Sequence, residues 1–160
     1  MNAVKIIQRG HQNLIDYLKD LSETVRADGF VTGSWAIKDI INHLGIYEEL
    51  QIEAFSKVLN PETATPLLNE KTGKTYLEFN DEQEKKDKSK SWQEVLDRYH
   101  KAYATLKTLV ENTAPELMAK PNTTTWYGDS ASLEDVIAYN YGHKKHHLAQ
   151  IKLFRQQNKI

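Results

Sequence analysis

A chain of 160 residues with 39% apolar and 27% charged residues is long enough for one substantial core and reads as one globular domain over 1–160. A formal net charge of −1 provides no basic field for nucleic acid or anionic lipid, and seven Gly with four Pro are too few for a turn-rich all-β fold. The absence of cysteine excludes disulfides, thiolate metal ligands and an internal thiol nucleophile. It fits a cytoplasmic setting, as does an N-terminus without a signal-like apolar run. No segment approaches the ~20 apolar residues of a membrane span.

Four segments carry a helical period. In the first, Val4, Ile7, Leu14, Leu18, Leu21 and Val25 predict a helix over 3–26, ended by Asp28 and Gly29. The second opens at Ser34, a good N-cap, and carries Ile40, His43, Tyr47, Leu50, Ala54 and Val58 to about residue 59, where Asn60 and Pro61 stop it. A polar stretch over 60–90 follows, ending in the mixed-charge run Asp81 to Lys88. It reads as a solvated connector, with a lid over a site as the alternative, and it is long enough to let helices two and three run parallel. The third helix begins at Ser91 with Glu94 completing a capping box, and continues through Val95, Leu96, Tyr99, Tyr103, Leu106 and Val110 to about 113. The linker over 113–131 holds Pro115, Pro121, Trp126 and Tyr127, and is expected to pack back on the helices. The fourth helix starts at Ser132 and runs to about 157. No segment alternates at period two for long enough to be a strand. The expected architecture is all-α, a four-helix bundle with a long crossover between helices two and three.

Six histidines are present, and three of them, His143, His146 and His147, fall within five residues of the last helix. His143 and His147 are one turn apart, the spacing at which two imidazoles on one helix face reach a common metal ion. Taking His143 as zero and ~100° per residue, His147 lies at ~40°, Val136 and Phe154 at ~20°, Asn140 at ~60° and Ile151 at ~80°. That is the apolar face. His146 falls at about −60°, toward the solvated arc with Lys145 and Lys152. On the second helix His43 sits in the apolar stripe. Three histidines are therefore expected to face one core from two helices. A single inward histidine is more often a hydrogen-bonded core residue than a ligand. Three unpartnered imidazoles in one small core would each cost free energy, and a shared metal satisfies all three. His11 reads as structural or surface, with ligation the lesser alternative, and His100 as exposed. Lys144, Lys145, Lys152 and Arg155 read as a solvated cluster on the outer arc of the last helix.

The run from Trp35 to Leu44, with His43 eight residues after the tryptophan, and the downstream pattern His143, His147, Leu148, Ala149 and Gln150 together resemble the DinB/YfiT-like superfamily of metalloenzymes. The resemblance covers nearly the whole chain. It implies a four-helix bundle of up-down-down-up course and a divalent metal, nickel or zinc, held by His43, His143 and His147. It further implies either a thiol-dependent S-transferase or a hydrolase. With no cysteine in the chain, a sulfur nucleophile would have to be a low-molecular-weight thiol from outside.

Around this constellation, Asp39 is a candidate partner for a ligating histidine, or an ordinary first-turn carboxylate favoured by the helix dipole. Gln150, one turn past His147, is a candidate partner for a ligand or substrate. Tyr47 and Tyr139 are candidates to line a pocket, and Trp35 and Trp126 read as packing anchors first and pocket walls second. Two functions stand side by side: a metal-dependent enzyme acting on a small electrophilic, stress-related substrate, and a non-catalytic bundle with a structural metal or a sequestered ligand. The partner implied is a small molecule, not nucleic acid or membrane, with a homodimer as the macromolecular association left open.

Overall fold

Two pieces of secondary structure replace the single first helix. The structure, a computed structural model describing residues 2–160, begins with α1 (Ala3–Leu18), capped by Asn2, whose side-chain oxygen accepts from Lys5 N at 3.0 Å. It stops eight residues short of the expected end. The Ser22 hydroxyl accepts from Val25 N at 3.3 Å and starts a new helix, α2 (Glu23–Asp28). Leu21 is still buried at this corner, so the apolar stripe continues in sequence while the axis turns. A short antiparallel hairpin, β1 (Phe30–Thr32) and β2 (Trp35–Ala36), follows. Gly33 at its tip has φ +54°, a conformation costly for residues with a Cβ. The next helix, α3 (Ile37–Leu59), therefore begins three residues later than Ser34. Asp39 Oδ2 accepts from Ala36 N at 2.9 Å and satisfies one of its open amides.

The stretch over 60–90 is not an unstructured connector. It contains α4 (Pro66–Lys71) and α5 (Tyr76–Asp87). The first amides of α4 are satisfied by tertiary contact: the Glu53 carboxylate of α3 accepts from Leu67 N at 3.0 Å and Leu68 N at 2.8 Å. A capping box opens α5, with Thr75 Oγ1 accepting from Glu78 N and Glu78 Oε2 accepting from Thr75 N. Phe79 and Gln83, one turn apart, are its buried residues, while the charged run forms its outer surface.

Helix α6 (Trp92–Glu111) starts at the expected Ser91–Glu94 box. A one-turn helix, α7 (Pro115–Met118), and a 3-10 turn at Thr125–Tyr127 lead to α8 (Leu133–Asn158). Ser132 caps α8, with Asp135 as its box partner. Replacing Ser132 by Ala should cost about 1 kcal/mol of unfolding free energy, measured in urea. No loss would mean that the start of α8 is held by its packing alone.

The four long helices contact one another in steps. Lys38 of α3 donates to the Lys90 carbonyl just before α6, Gly45 approaches Tyr99, and Phe55 shares a core with Leu106 and Val110. Contacts thus advance together along α3 and α6. They also advance together along α1 and α8, from Ile7 with Ile137, through Gly10 beside Tyr141, to the Tyr17 carbonyl bonded by Arg155. Along α3 and α8 they run in opposite senses, with His43 beside His147 and Glu48 bonded to Lys144. Among the described residues no helix is long and apolar enough to cross a membrane.

Candidate metal centre

Helix α3 carries His43 and α8 carries His143 and His147, and their opposed crossing brings the three rings to one point. His143 Nε2 lies 2.9 Å from His43 Nε2 and 3.0 Å from His147 Nε2. One nitrogen from each ring can be chosen so that all three lie within 4.8 Å of one another. His43 and His147 are buried and His143 is half-buried. His146 is exposed, as its helical angle requires.

The three residues fit a metal ion on two grounds. Bonds of ~2.0–2.1 Å at angles between 90° and the tetrahedral value separate two nitrogen ligands by ~2.9–3.4 Å, which includes both short contacts. The second ground is protonation. Burial, reinforced by the neighbouring His143 and His147, holds His43 well below the usual histidine range. Burial also holds His143 at about 3 and His147 at about 4. All three rings are therefore neutral at physiological pH, the form that ligates. Three neutral rings cannot satisfy this geometry among themselves. The Nδ1–H of His147 donates to Gln150 Oε1 at 2.8 Å, leaving a lone pair on its Nε2. A proton on His143 Nε2 can serve only one of its two short contacts, and without that proton the His147 contact has no donor, so one contact is always left without a hydrogen bond. A cation among them removes that conflict.

The residues singled out beside the histidines divide. Gln150 orients His147, as a partner on the far ring nitrogen should. Tyr47 is buried with its ring 4.6 Å from His43 and 4.7 Å from His143, and its hydroxyl donates to Asn80 Oδ1 at 3.1 Å. Burial pushes this phenol up, so it stays neutral. Tyr139 is 46% exposed at the rim, 6.3 Å from the His143 ring and 5.9 Å from Tyr127. Trp35 packs 5.0 Å from His43, making it a wall of the site. Asp39 lines the same hollow as His43, but its Oδ2 accepts from the start of α3 and lies 3.9 Å from Lys88. Its first role is helix capping. Trp126 packs against the core cluster that holds Tyr47 and Phe79, and lines a separate cavity of about 330 Å³ with Leu68, Lys71 and Tyr127. No histidine lines that cavity.

Two features of the site depart from the first expectation. The first is α5, whose Phe79, Asn80 and Gln83 close the hollow beside His43, nearer the lid alternative for this stretch than the solvated connector. The Thr75–Glu78 box was its readable signal. The second is Lys144. It belongs to no solvated cluster: it is buried and paired with the fully buried Glu48. Arg155 of the same supposed cluster pairs with Asp20. His100 is half-buried, and its Nδ1 lies 2.9 Å from Nε2 of the buried His11. The His11 ring is stacked on Tyr99 and Tyr103, a structural role.

A sequence model described as the DinB superfamily matches residues 6–151. None of the curated proteins matches the chain. In three dimensions the chain is similar to an uncharacterised protein from Escherichia coli UTI89, known from a crystal structure. The TM-score is 0.81 at 12% identity, over 99% of this chain and 93% of that one. At that identity the likeness extends to the fold alone.

Proposed function

The chain belongs to the DinB superfamily, and from that membership we propose that His43, His143 and His147 hold one divalent metal ion, nickel or zinc, in a metal-dependent enzyme. The reaction we infer is thiol-dependent S-transfer or hydrolysis on a small electrophilic substrate. The observation that carries the reading is the convergence of three neutral, largely buried imidazoles, one of them oriented by Gln150. The up-down-down-up course belongs to the same reading, supported by contacts that advance together along α3 and α6 and in opposite senses along α3 and α8.

When bound to three neutral ligands, such an ion supplies an uncompensated Lewis-acidic charge that lowers the pKa of a coordinated water or thiol. This chain's own residues do the rest. Gln150 holds the His147 tautomer, while Trp35 and Tyr47 wall the rings from water. The Tyr47 hydroxyl donates to Asn80, and Asp39 Oδ2 accepts from Ala36 N at the start of α3. Since the chain has no cysteine, sulfur chemistry here requires an exogenous thiol.

The test is elemental analysis of protein purified without a metal-binding tag, followed by cobalt substitution and titration with small thiols. One equivalent of metal per chain, and a new thiolate-to-cobalt absorption band on adding thiol, are expected. Less than a tenth of an equivalent after incubation with zinc or nickel would sink the metal reading. Stoichiometric metal with no response to thiols, and no turnover of ester or halide electrophiles, would favour the non-catalytic alternative.

A further inference from the structure

Between the metal centre and the far core lies a buried ion pair with no part in ligation. Lys144 Nζ donates to Glu48 Oε1, and both side chains are almost wholly shielded from solvent. Glu48 is five residues past His43 on α3, and Lys144 stands between His143 and His147 on α8. All four long helices enclose the pair. Its ammonium lies 5.3 Å from the Tyr99 ring of α6. On α1, Gly10 leaves room for the Lys144 stem: a Cβ there would come within 3.3 Å of Lys144 Cδ and 3.2 Å of Tyr141 Cδ2.

The pair is poorly suited to stabilising the fold. Glu48 Oε2 is buried without a hydrogen-bond partner, as are the nearby Gln51 Oε1 and Asn140 Oδ1. Burial pushes the Glu48 carboxyl up, and the opposing attraction of Lys144 does not cancel the shift. Replacing a buried pair of this kind with two apolar side chains of similar volume is often neutral or stabilising, because desolvating two charges offsets most of their attraction. What such a pair does supply is position. An aliphatic neighbour such as Ile137 can repack after a small slide of one helix along another. A buried charge cannot, because a slide of one turn, ~5.4 Å, would leave both charges alone in the core.

We propose that Glu48 and Lys144 are positioning residues that lock α8 in register along α3, so that His43 on one helix meets His143 and His147 on the other. The purpose of the lock rests on the metal-binding reading above, but the lock itself is a property of the metal-free protein. A single buried polar pair sets the register of paired helices in the same way in coiled coils.

The decisive variant is Glu48→Leu combined with Lys144→Met, which removes both charges and keeps the volume. Three quantities are measured on the full chain: the metal-free unfolding temperature, the Nε2 separations in crystals of the metal-free protein, and zinc affinity by chelator competition. The double variant should unfold at or above the wild-type temperature. Its His43–His143 separation should open beyond hydrogen-bond reach or become heterogeneous, and its zinc affinity should fall at least about tenfold. Exchanging the charges, Glu48→Lys with Lys144→Glu, should restore the spacing and bring the affinity back to near wild type. Wild-type spacing and affinity in the Leu/Met variant would overturn the proposal. So would failure of that variant to fold, which would make the pair a stability element. If the wild-type protein binds no zinc, the metal reading fails by itself, and the metal-free separations still decide the register.

Discussion

His143→Ala is expected to leave the protein without stoichiometric metal while it remains folded. The ring supplies the central nitrogen of the cluster, touching both others at 2.9 and 3.0 Å. If a binding free energy on the order of 10 kcal/mol is shared over three ligands, losing one weakens affinity on the order of 10²–10³-fold. His43→Ala and His147→Ala should do the same. Two neighbours set the scale. His146→Ala, exposed on the outer arc, should retain a full equivalent. Gln150→Ala, which frees the His147 ring, should lose roughly tenfold in affinity and keep stoichiometry at saturating metal. Circular dichroism should show unchanged helix content throughout, since His143 Nδ1 has no partner whose loss would disturb the fold. A His143→Ala protein that still carries one equivalent of metal would place the ion elsewhere.

Phe79→Ala is expected to be the most damaging substitution in the crossover, costing about 3–5 kcal/mol in urea unfolding. Phe79 is completely buried and packs with Tyr47, Leu50 and Leu68, so it joins α5 to α3 and to the aromatic wall of the histidine site. Leu77, two residues earlier on the same helix and exposed, is the control, and Leu77→Ala should change stability by less than about 0.5 kcal/mol. A Phe79→Ala loss below about 1 kcal/mol would show that α5 detaches on its own, outside the cooperative unit. Amide exchange would then show α5 opening while α3 and α6 stay protected.

The sequence by itself determined where α6 and α8 begin and which histidine pair shares a face, because caps and the helical repeat are local in origin. The Ser91–Glu94 and Ser132–Asp135 boxes start α6 and α8 through contacts three residues apart. His143 and His147 share a face because the helical repeat places them one turn apart. His43 lies in the apolar stripe of its own helix, and family resemblance joined it to the other two. The same local reasoning failed elsewhere, missing the β1–β2 hairpin that delays α3 among other things, and three of the misses have a plain physical cause. It ran α1 through residue 26, because a stripe of buried residues does not record the change of axis that Ser22 imposes. It left 60–90 without helices, because α4 owes its N-terminal hydrogen bonds to Glu53 on another helix, and α5 buries only Phe79 and Gln83 among many charges. It placed Lys144 in solvent, because a lysine at that helical angle is inward only if another helix offers a buried carboxylate, and a gap at Gly10 admits its stem. Tertiary structure alone decided which charge Glu48 would meet, because the two residues are 96 positions apart and only the crossing of α3 and α8 brings them together.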